Sequence, residues 1–171
     1  MDNIGITYWI TGLSGAGKTT IGKLLYEYLK KRDEKLVLLD GDALREVYQD
    51  HSYTQAGRIE LTYRNARLCK MLNEQGINVI ICCVAMYDEC RAWNRNNITN
   101  YKEIYLNVPV DELIRRDQKK LYSRALNKEI ENVMGINMDY EAPKTPDIEV
   151  NNSGDNTPEK TLKMIVNQLG V

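Results

Sequence analysis

The sequence contains no phenylalanine and a single histidine, His51, and its four cysteines include no C-x-x-C pair. With so few potential ligands at suitable spacing, a zinc site is not expected. Cys82 and Cys83 stand next to each other in an apolar run, where cysteine usually acts as a small hydrophobic residue. Reduced thiols are therefore expected, and they favour a cytoplasmic protein.

The sequence also lacks an excess of charge of one sign and any long apolar run. The formal net charge is -1, so no overall basic field attracts nucleic acid or an acidic membrane surface. No run approaches the roughly 20 apolar residues that span a bilayer. The first residues, MDNIGITYWITG, lack the basic and long apolar regions of a secretory signal. We therefore expect no nucleic-acid partner and no membrane, and any anion must bind at a local site.

Apolar runs alternate with amphipathic segments along the 171 residues. Strands are predicted at 4–11, 35–40, 77–84, 101–108 and 147–150, and helices at 18–31, 57–76, 88–97 and 157–170, with another beginning near Pro109. This alternation is typical of an α/β fold with a parallel sheet and helices on both faces. We predict one domain over residues 1–171, in which the charged segment at about 117–145 forms a lid.

The turn after the first predicted strand carries the most specific motif. It reads GLSGAGKTT and matches G-x-x-x-x-G-K-[ST], with a strand before it and a helix after it. The glycines allow backbone N–H groups to turn inward around a phosphate. Lys18 is placed to reach the β- and γ-phosphates, and Thr19 offers a hydroxyl to Mg2+. The sequence therefore predicts a P-loop NTPase-type fold, and the predicted ATP-binding residues of the loop are Gly12, Ser14, Gly15, Ala16, Gly17, Lys18, Thr19 and Thr20.

Several classes of protein use this loop, and the rest of the sequence separates them. A switch GTPase would carry an N-K-x-D segment, which is absent. A mechanical ATPase would carry an acid at the end of strand 77–84, and this run ends without a carboxylate. A small-molecule kinase places a carboxylate on the neighbouring strand, where Asp40 and Asp42 stand. The sequence favours a kinase, and a catalytically silent ATP-binding regulatory module is an alternative.

The stretch Asp40-Gly41-Asp42 allows two interpretations. As part of a turn, Asp42 caps a helix that begins at Ala43. As part of a catalytic edge, Asp42 takes the proton of an acceptor hydroxyl, and Asp40 either holds magnesium-bound water or orients Asp42. The phosphate-binding loop ends at the same edge of the sheet, which favours the catalytic interpretation.

Four basic residues are candidates for binding the phosphates of the two substrates. Arg45, about one turn after Asp42, and Arg58 are placed to grip an anionic acceptor, because guanidinium groups match phosphate geometry. Arg116 and Lys119 stand where the lid begins. Closing the lid would exclude water and bring these cations to the transferring phosphoryl group.

The motifs GLSGAGKTT, LLDGDALR, RRDQKKLYSRA and GINMDYEAPKTPDIEV follow one another in an order that resembles the adenylyl-sulfate kinases, from about residue 7 to 150. The resemblance implies ATP-dependent phosphorylation of the ribose 3'-hydroxyl of a nucleotide that carries a 5' mixed anhydride, with ATP and Mg2+ bound. It implies Asp42 as general base; the motif and the strand end add Lys18 and Asp40 to the predicted catalytic residues, and Thr19 and Asp40 are the predicted metal ligands. The implied acceptor-binding residues are Asp42, Arg45, Tyr53, Arg58, Leu61, Val84, Ala85, Lys119 and Val133; Arg116 is assigned to ATP.

The departures from this family fall on the acceptor side. Tyr53 and Val133 stand where the family has two phenylalanines around the adenine, and Leu61 replaces an asparagine. Losing one aromatic face removes about 1–3 kcal/mol of base stacking. Ala85 replaces a serine, which excludes a phosphoserine and leaves direct in-line transfer. The altered base pocket resembles that of the cytidine diphosphoramidate kinases, a branch that phosphorylates a cytidine nucleotide; adenylyl sulfate is the alternative acceptor.

The partners expected from the sequence are few. The main one is the small-molecule nucleotide acceptor. Trp93, on the polar helix predicted at 88–97, is a candidate subunit-interface residue. The assembly that it suggests is a homodimer.

Overall fold

The computed structural model describes residues 4–171, and these residues contain a sheet of five parallel strands. The strands are β1 (Thr7–Thr11), β2 (Leu36–Asp40), β3 (Asn78–Cys82), β4 (Tyr101–Asn107) and β5 (Ile148–Asn151). Their order in the sheet is β2-β3-β1-β4-β5, and every neighbouring pair is parallel. The predicted α/β fold with a parallel sheet is confirmed.

Helices connect successive strands, as parallel pairing requires. They are α1 (Lys18–Lys30), α2 (Gly41–Tyr48), α3 (Gln55–Glu74), α4 (Asp88–Asn97), α5 (Val110–Arg116), α6 (Leu121–Leu126) and α7 (Pro158–Leu169). A short 3₁₀ turn at Gln118–Lys120 lies between α5 and α6. Among residues 4–171, no helix combines the length and the apolar character that crossing a membrane demands.

Two apolar clusters cover the two faces of the sheet. Successive residues of a strand point to opposite faces, so Ile10 belongs to one cluster and Trp9 to the other. The first cluster includes residues of α1 and α7, and the second includes residues of α2 and α3. Both Ile10 and Trp9 are completely buried, because helices cover a parallel sheet on both sides.

The helix after β2 begins earlier than predicted. Asp40 is its N-cap, and the Oδ1 atom of Asp40 accepts hydrogen bonds from the N–H groups of Asp42 (2.9 Å) and Ala43 (3.4 Å). The prediction that Asp42 caps a helix beginning at Ala43 is therefore wrong. The backbone is still extended at Asp40 and turns helical at Gly41, so the capping geometry falls on Asp40. Asp42 lies in the first helical turn and its carboxylate faces solvent.

The charged segment after α5 contacts the carboxyl edge of the sheet at two places. Tyr122, in α6, is completely buried although Lys120 and Arg124 are exposed. Its hydroxyl donates to the carbonyl of Ser14 at 2.7 Å, just beyond β1. Further on, the N–H of Glu141 donates to the carbonyl of Met86, at 2.8 Å, just beyond β3. The segment is thus attached at both ends to the edge where β1, β2 and β3 finish.

Candidate active site

The loop between β1 and α1 is held by side chains that bind its carbonyl groups. Four consecutive carbonyls, those of residues 13 to 16, each accept a hydrogen bond from a different side chain. The pairs are Lys18 Nζ to Leu13 (2.8 Å), the Tyr122 hydroxyl to Ser14 (2.7 Å), Arg116 Nη1 to Gly15 (3.2 Å) and Asn152 Nδ2 to Ala16 (2.7 Å). With the carbonyls engaged, backbone N–H groups are left as the donors that an anion would meet, as in other phosphate-binding loops.

Glycine is required where this loop passes into α1. Gly17 has φ 94°, a left-handed conformation that disfavours side chains. A Cβ atom there would also lie 2.5 Å from the Nδ2 atom of Asn152. The same amide binds the carbonyl of Ala16, so a larger residue at position 17 would displace that hydrogen bond.

Asn152 is a site residue that the sequence did not reveal. It follows β5 and is buried, with 8% of its surface exposed. Besides its bond to the loop, its Oδ1 accepts from the hydroxyl of Thr161 (2.7 Å), and its carbonyl accepts from Arg116 Nη2 (2.8 Å). The sequence feature that could have indicated Asn152 is a pair of asparagines at the carboxyl end of the last predicted strand. Ligands bind at this edge in parallel sheets.

Lys18 extends from α1 across the loop, and burial lowers its pKa to about 8. The nearby thiols of Cys83 and Cys82 and the carboxylates of Asp42 and Asp40 act in the opposite direction. The Cys82 Sγ atom lies 3.3 Å from the carbonyl of Lys18, and burial raises the pKa of this thiol to about 12. Cys82 is therefore protonated at neutral pH and packs as a hydrophobic residue.

The phosphate-binding loop and the end of β2 are in direct contact. The hydroxyl of Thr19 donates to the Oδ2 atom of Asp40 at 2.6 Å. Because Asp40 Oδ1 caps α2, one carboxylate joins the loop to the helix that carries Asp42. Hydroxyl and carboxylate oxygens are hard ligands of the kind that Mg2+ takes together with substrate phosphates, so this pair fits the predicted metal.

Asp42 and Lys119 meet at the open side of the crevice. The Lys119 Nζ atom lies 3.3 Å from Asp42 Oδ2, and the side chains are 78% and 79% exposed. The backbone at Lys119 has φ 58°, an uncommon conformation that turns the chain between α5 and α6. The structure therefore brings together two residues that are 77 positions apart in sequence and that both belong to the predicted site.

Thr20 and Arg116 lie on the other side of the loop. Both line a cleft of about 200 Å³, together with Gly17, Ile21, Asn152, Asn156 and Pro158. Arg116 is fixed in this cleft by Glu112, whose Oε1 atom accepts from Arg116 Nε at 2.9 Å. The cleft adjoins the position that the loop offers to a triphosphate.

Arg45, a predicted acceptor-binding residue, is held by the segment that follows α2. Its Nη1 atom donates to the Oδ1 atom of Asp50 (3.0 Å) and to the carbonyl of Ser52 (2.9 Å). Its guanidinium carbon lies 4.4 Å from the centroid of the Tyr53 ring. Asp50 also forms an ion pair with Arg64 of α3 (3.6 Å), which ties the segment to that helix.

Arg58 joins the same segment to the charged segment after α5. Its Nε atom donates to the carbonyl of Tyr53 (3.0 Å), and its Nη2 atom donates to the carbonyl of Asn132 (2.9 Å). Burial lowers the pKa of Arg58, and the charge of Arg45 lowers it further. The two predicted acceptor-binding arginines are thus close enough to repel each other.

The apolar residues predicted to bind the acceptor expose little surface. Leu61, Ala85 and Val133 are 6%, 1% and 4% exposed, and Val84 is partly buried. Val133 belongs to the same apolar cluster as Leu13. The contact of these four residues with an acceptor stays a prediction.

A buried ionic cluster next to Ala85 is a second feature that the sequence did not reveal. Arg91 of α4 is buried, and its Nη1 atom donates to the carbonyl of Ala85 at 3.5 Å. Glu103 of β4, 2% exposed, binds Arg95 (2.9 Å) and lies 3.8 Å from Arg91 Nε. Burial raises the pKa of Glu103, and Arg95 and Arg91 oppose this rise. In the sequence, the cluster is visible only as two arginines four residues apart on a predicted helix. That spacing places both arginines on one face of the helix and does not indicate that they are buried.

Known proteins resemble this chain along its whole length. The family model for adenylylsulphate kinase matches residues 4–151. A cytidine diphosphoramidate kinase of Campylobacter jejuni is 43% identical over 171 residues, which cover 100% of both chains. An adenylyl-sulfate kinase of Picosynechococcus is 40% identical over 150 residues, 87% of this chain and 85% of that one.

Solved structures of the same family also resemble this chain. An APS kinase of Mycobacterium tuberculosis, in complex with AMPPNP and APS, superimposes with a TM-score of 0.89 at 29% identity. The alignment covers 98% of this chain and 99% of that one. Shikimate kinase of Aquifex aeolicus, at 16% identity and a TM-score of 0.60, shares the fold. The chain therefore belongs to the adenylylsulphate kinase family.

Proposed function

We propose that this kinase transfers the γ-phosphoryl group of ATP to the ribose 3'-hydroxyl of cytidine diphosphoramidate. The single observation that carries the proposal is the contact between Thr19 and Asp40, because it joins the phosphate-binding loop to the strand end that bears Asp42. The full-length relative at 43% identity, named for that acceptor, supports the choice of nucleotide.

The donor side would bind ATP through the loop of residues 12–20. The N–H groups of the loop and Lys18 would hold the phosphates, and the base would enter the cleft lined by Arg116 and Thr20. Thr19 and Asp40 would hold Mg2+, which neutralises phosphate charge when it is bound.

The acceptor side would supply the proton transfer. Asp42 would accept the proton of the 3'-hydroxyl as that oxygen attacks the γ-phosphorus. Lys119 would leave Asp42 and turn to the phosphates, a cheap exchange because an exposed ion pair is worth about 1 kcal/mol or less. Ala85 carries no hydroxyl that could be phosphorylated, so the proposed transfer is direct and in line.

Arg45 and Arg58 would bind the 5' anhydride of the acceptor. The base end of the acceptor would lie where Tyr53 and Val133 replace two aromatic rings of the family. A pyrimidine needs less stacking area than a purine, which fits a site where Val133 stands in place of an aromatic ring. Adenylyl sulfate remains the second candidate, favoured by the relatives at 40% identity and below that carry that name.

The remaining features are proposed together. Residues 1–171 would act as one kinase domain with residues 117–145 as its lid, since Arg116 and Lys119 reach the loop and Asp42 at one end of that segment. A cytoplasmic location is consistent with four buried, unpaired cysteines. A homodimer through the side of α4 that bears Trp93 stays a prediction.

The proposal is tested by measuring ADP formation with cytidine diphosphoramidate and with adenylyl sulfate under identical conditions. We expect kcat/KM for the cytidine nucleotide to be at least about tenfold higher, a difference of about 1.4 kcal/mol. The 3'-deoxy form of the same nucleotide is the control and should give no product. A preference for adenylyl sulfate would establish the second candidate, and no ADP above the acceptor-free rate would support a regulatory module.

A further inference from the structure

Tyr53 is in contact with both arginines of the acceptor side. The residue is 50% exposed, and the guanidinium carbons of Arg45 and Arg58 lie 4.4 Å and 5.4 Å from the centroid of its ring. Both distances are within the range of a cation–π interaction. A ring that is approached by two guanidinium groups has less free surface on which a base could stack.

The hydrogen bonds of the two arginines leave one edge of each guanidinium free. Arg45 uses Nη1 for Asp50 and Ser52, and Arg58 uses Nε and Nη2 for two backbone carbonyls. Within residues 4–171, Nη2 of Arg45 and Nη1 of Arg58 have no hydrogen-bond partner. These free donors are the ones that an anionic ligand could take.

The two positive charges repel each other, and their hydrogen bonds fix each arginine to separate partners. Burial lowers the pKa of Arg58, and the charge of Arg45 lowers it further. The face of an aromatic ring carries negative electrostatic potential and attracts cations. Tyr53 is the aromatic side chain that touches both, and its own carbonyl accepts from Arg58.

We propose that Tyr53 is a positioning residue, which holds Arg45 and Arg58 ready for the 5' anhydride of the acceptor instead of stacking on the acceptor's base. This rests on the proposed function for the identity of the acceptor. The geometry of the arginine pair, however, also applies to any ligand that presents a phosphate at this place. The two ideas therefore fail in different experiments.

The first experiment compares two substitutions at this position. Tyr53→Phe keeps the ring and should leave the KM for the acceptor within about twofold of the wild type. Tyr53→Leu removes the ring and should raise KM about tenfold, with little change in kcat, by loss of the cation–π contacts. The rise in KM should be equal for cytidine and adenosine acceptors, because the substitution affects the arginines and not the contact with the base. Tyr63→Leu, which removes another tyrosine near an arginine (Arg67, 5.7 Å), is the matched control and should behave as the wild type.

The second experiment uses a ligand without a base. Ribose 5-phosphate is titrated into the protein saturated with ADP, and its dissociation constant is followed by NMR chemical shifts. We expect Tyr53→Leu to weaken this binding about tenfold and Tyr53→Phe to leave it unchanged. An unchanged dissociation constant in Tyr53→Leu, together with a KM rise confined to the cytidine acceptor, would overturn the positioning role and establish stacking.

The outcomes also separate this inference from the proposed function. A wild-type protein that forms no ADP with any acceptor would refute the kinase proposal. The ribose 5-phosphate titration needs no turnover, so a weakened dissociation constant in Tyr53→Leu would still support the positioning role. Thermal unfolding of each variant shows whether the fold is intact, and the Tyr53→Phe variant keeps the comparison valid if the leucine variant is unstable.

Discussion

The two sides of the crevice are built differently. On the donor side, buried side chains from α6 and from the end of β5 bind the carbonyls of the phosphate-binding loop, and Tyr122 and Asn152 among them are almost fully covered. On the predicted acceptor side, several polar groups are exposed: Asp42 and Lys119 by more than three quarters, Tyr53 by half. One side is fixed by packing, and the other is held by ion pairs and cation–π contacts.

The two constructions predict a different tolerance to substitution. Four consecutive carbonyls of the loop, those of residues 13 to 16, are each bound by a side chain, so a change in any of these side chains would disturb the loop. The predicted acceptor side combines exposed charged groups with buried apolar residues, and an exposed group can be replaced without disturbing the packing. The positions at which the sequence departs from the adenylyl-sulfate kinase pattern, Tyr53, Leu61, Ala85 and Val133, are all predicted acceptor-binding residues, and all but Tyr53 are buried.

The largest expected effect is on the acceptor side. Asp42→Asn removes the proposed base, and we expect kcat to fall at least about 100-fold while the dissociation constant for ATP is unchanged. Initial rates and ATP titration measure the two quantities. Asp111→Asn, at another exposed carboxylate, is the control. Turnover near the wild-type rate in Asp42→Asn would mean that another group takes the proton.

The next effect tests the packing of the donor side. Asn152→Ala leaves the carbonyl of Ala16 and the hydroxyl of Thr161 without their partner, and we expect the free energy of unfolding to fall by about 1–3 kcal/mol. ATP binding should weaken with it. Urea unfolding of this variant is compared with Asn167→Ala, an exposed asparagine on α7. Equal stabilities would show that the loop does not depend on Asn152.

The third effect is a pH dependence of the donor side. Because burial lowers the pKa of Lys18 to about 8, the free protein loses this positive charge as pH rises above that value. The triphosphate binds the charged form, so its affinity should be constant below pH 8 and then fall by up to about tenfold per pH unit. Lys18→Arg keeps its charge and should abolish the fall. Equal pH profiles for both proteins would exclude Lys18 as the titrating group.

The smallest effect concerns the stability of the acceptor side. Lys119→Ala removes an exposed ion pair, so the free energy of unfolding should change by less than about 1 kcal/mol. The KM for the acceptor should rise in the same variant. A loss of stability above about 2 kcal/mol would show that this side is also fixed by packing and would remove the contrast between the two sides.

Most elements of the fold could be predicted, because each follows from a local pattern. The apolar run at 77–84 contains β3, and the predicted helix at 88–97 is α4. The start of α2 was wrong by two residues, since whether Asp40 or Asp42 caps the helix depends on where the extended backbone of β2 ends. The partners of the two carboxylates, Thr19 for Asp40 and Lys119 for Asp42, are far away in sequence.

The sequence alone determined the phosphate-binding loop, the alternation of strands and helices, and the carboxylates at the end of β2, because motif and periodicity are local properties of the chain. Only the tertiary structure decided that Asn152 supports the loop at residue 16 and that Arg45 and Arg58 share one tyrosine ring. Asn152 meets the loop because parallel strands bring their carboxyl ends, and the loops that follow them, to the same edge of the sheet. Arg45, Tyr53 and Arg58 lie in one stretch between β2 and β3, and their contacts depend on how the chain turns between α2 and α3.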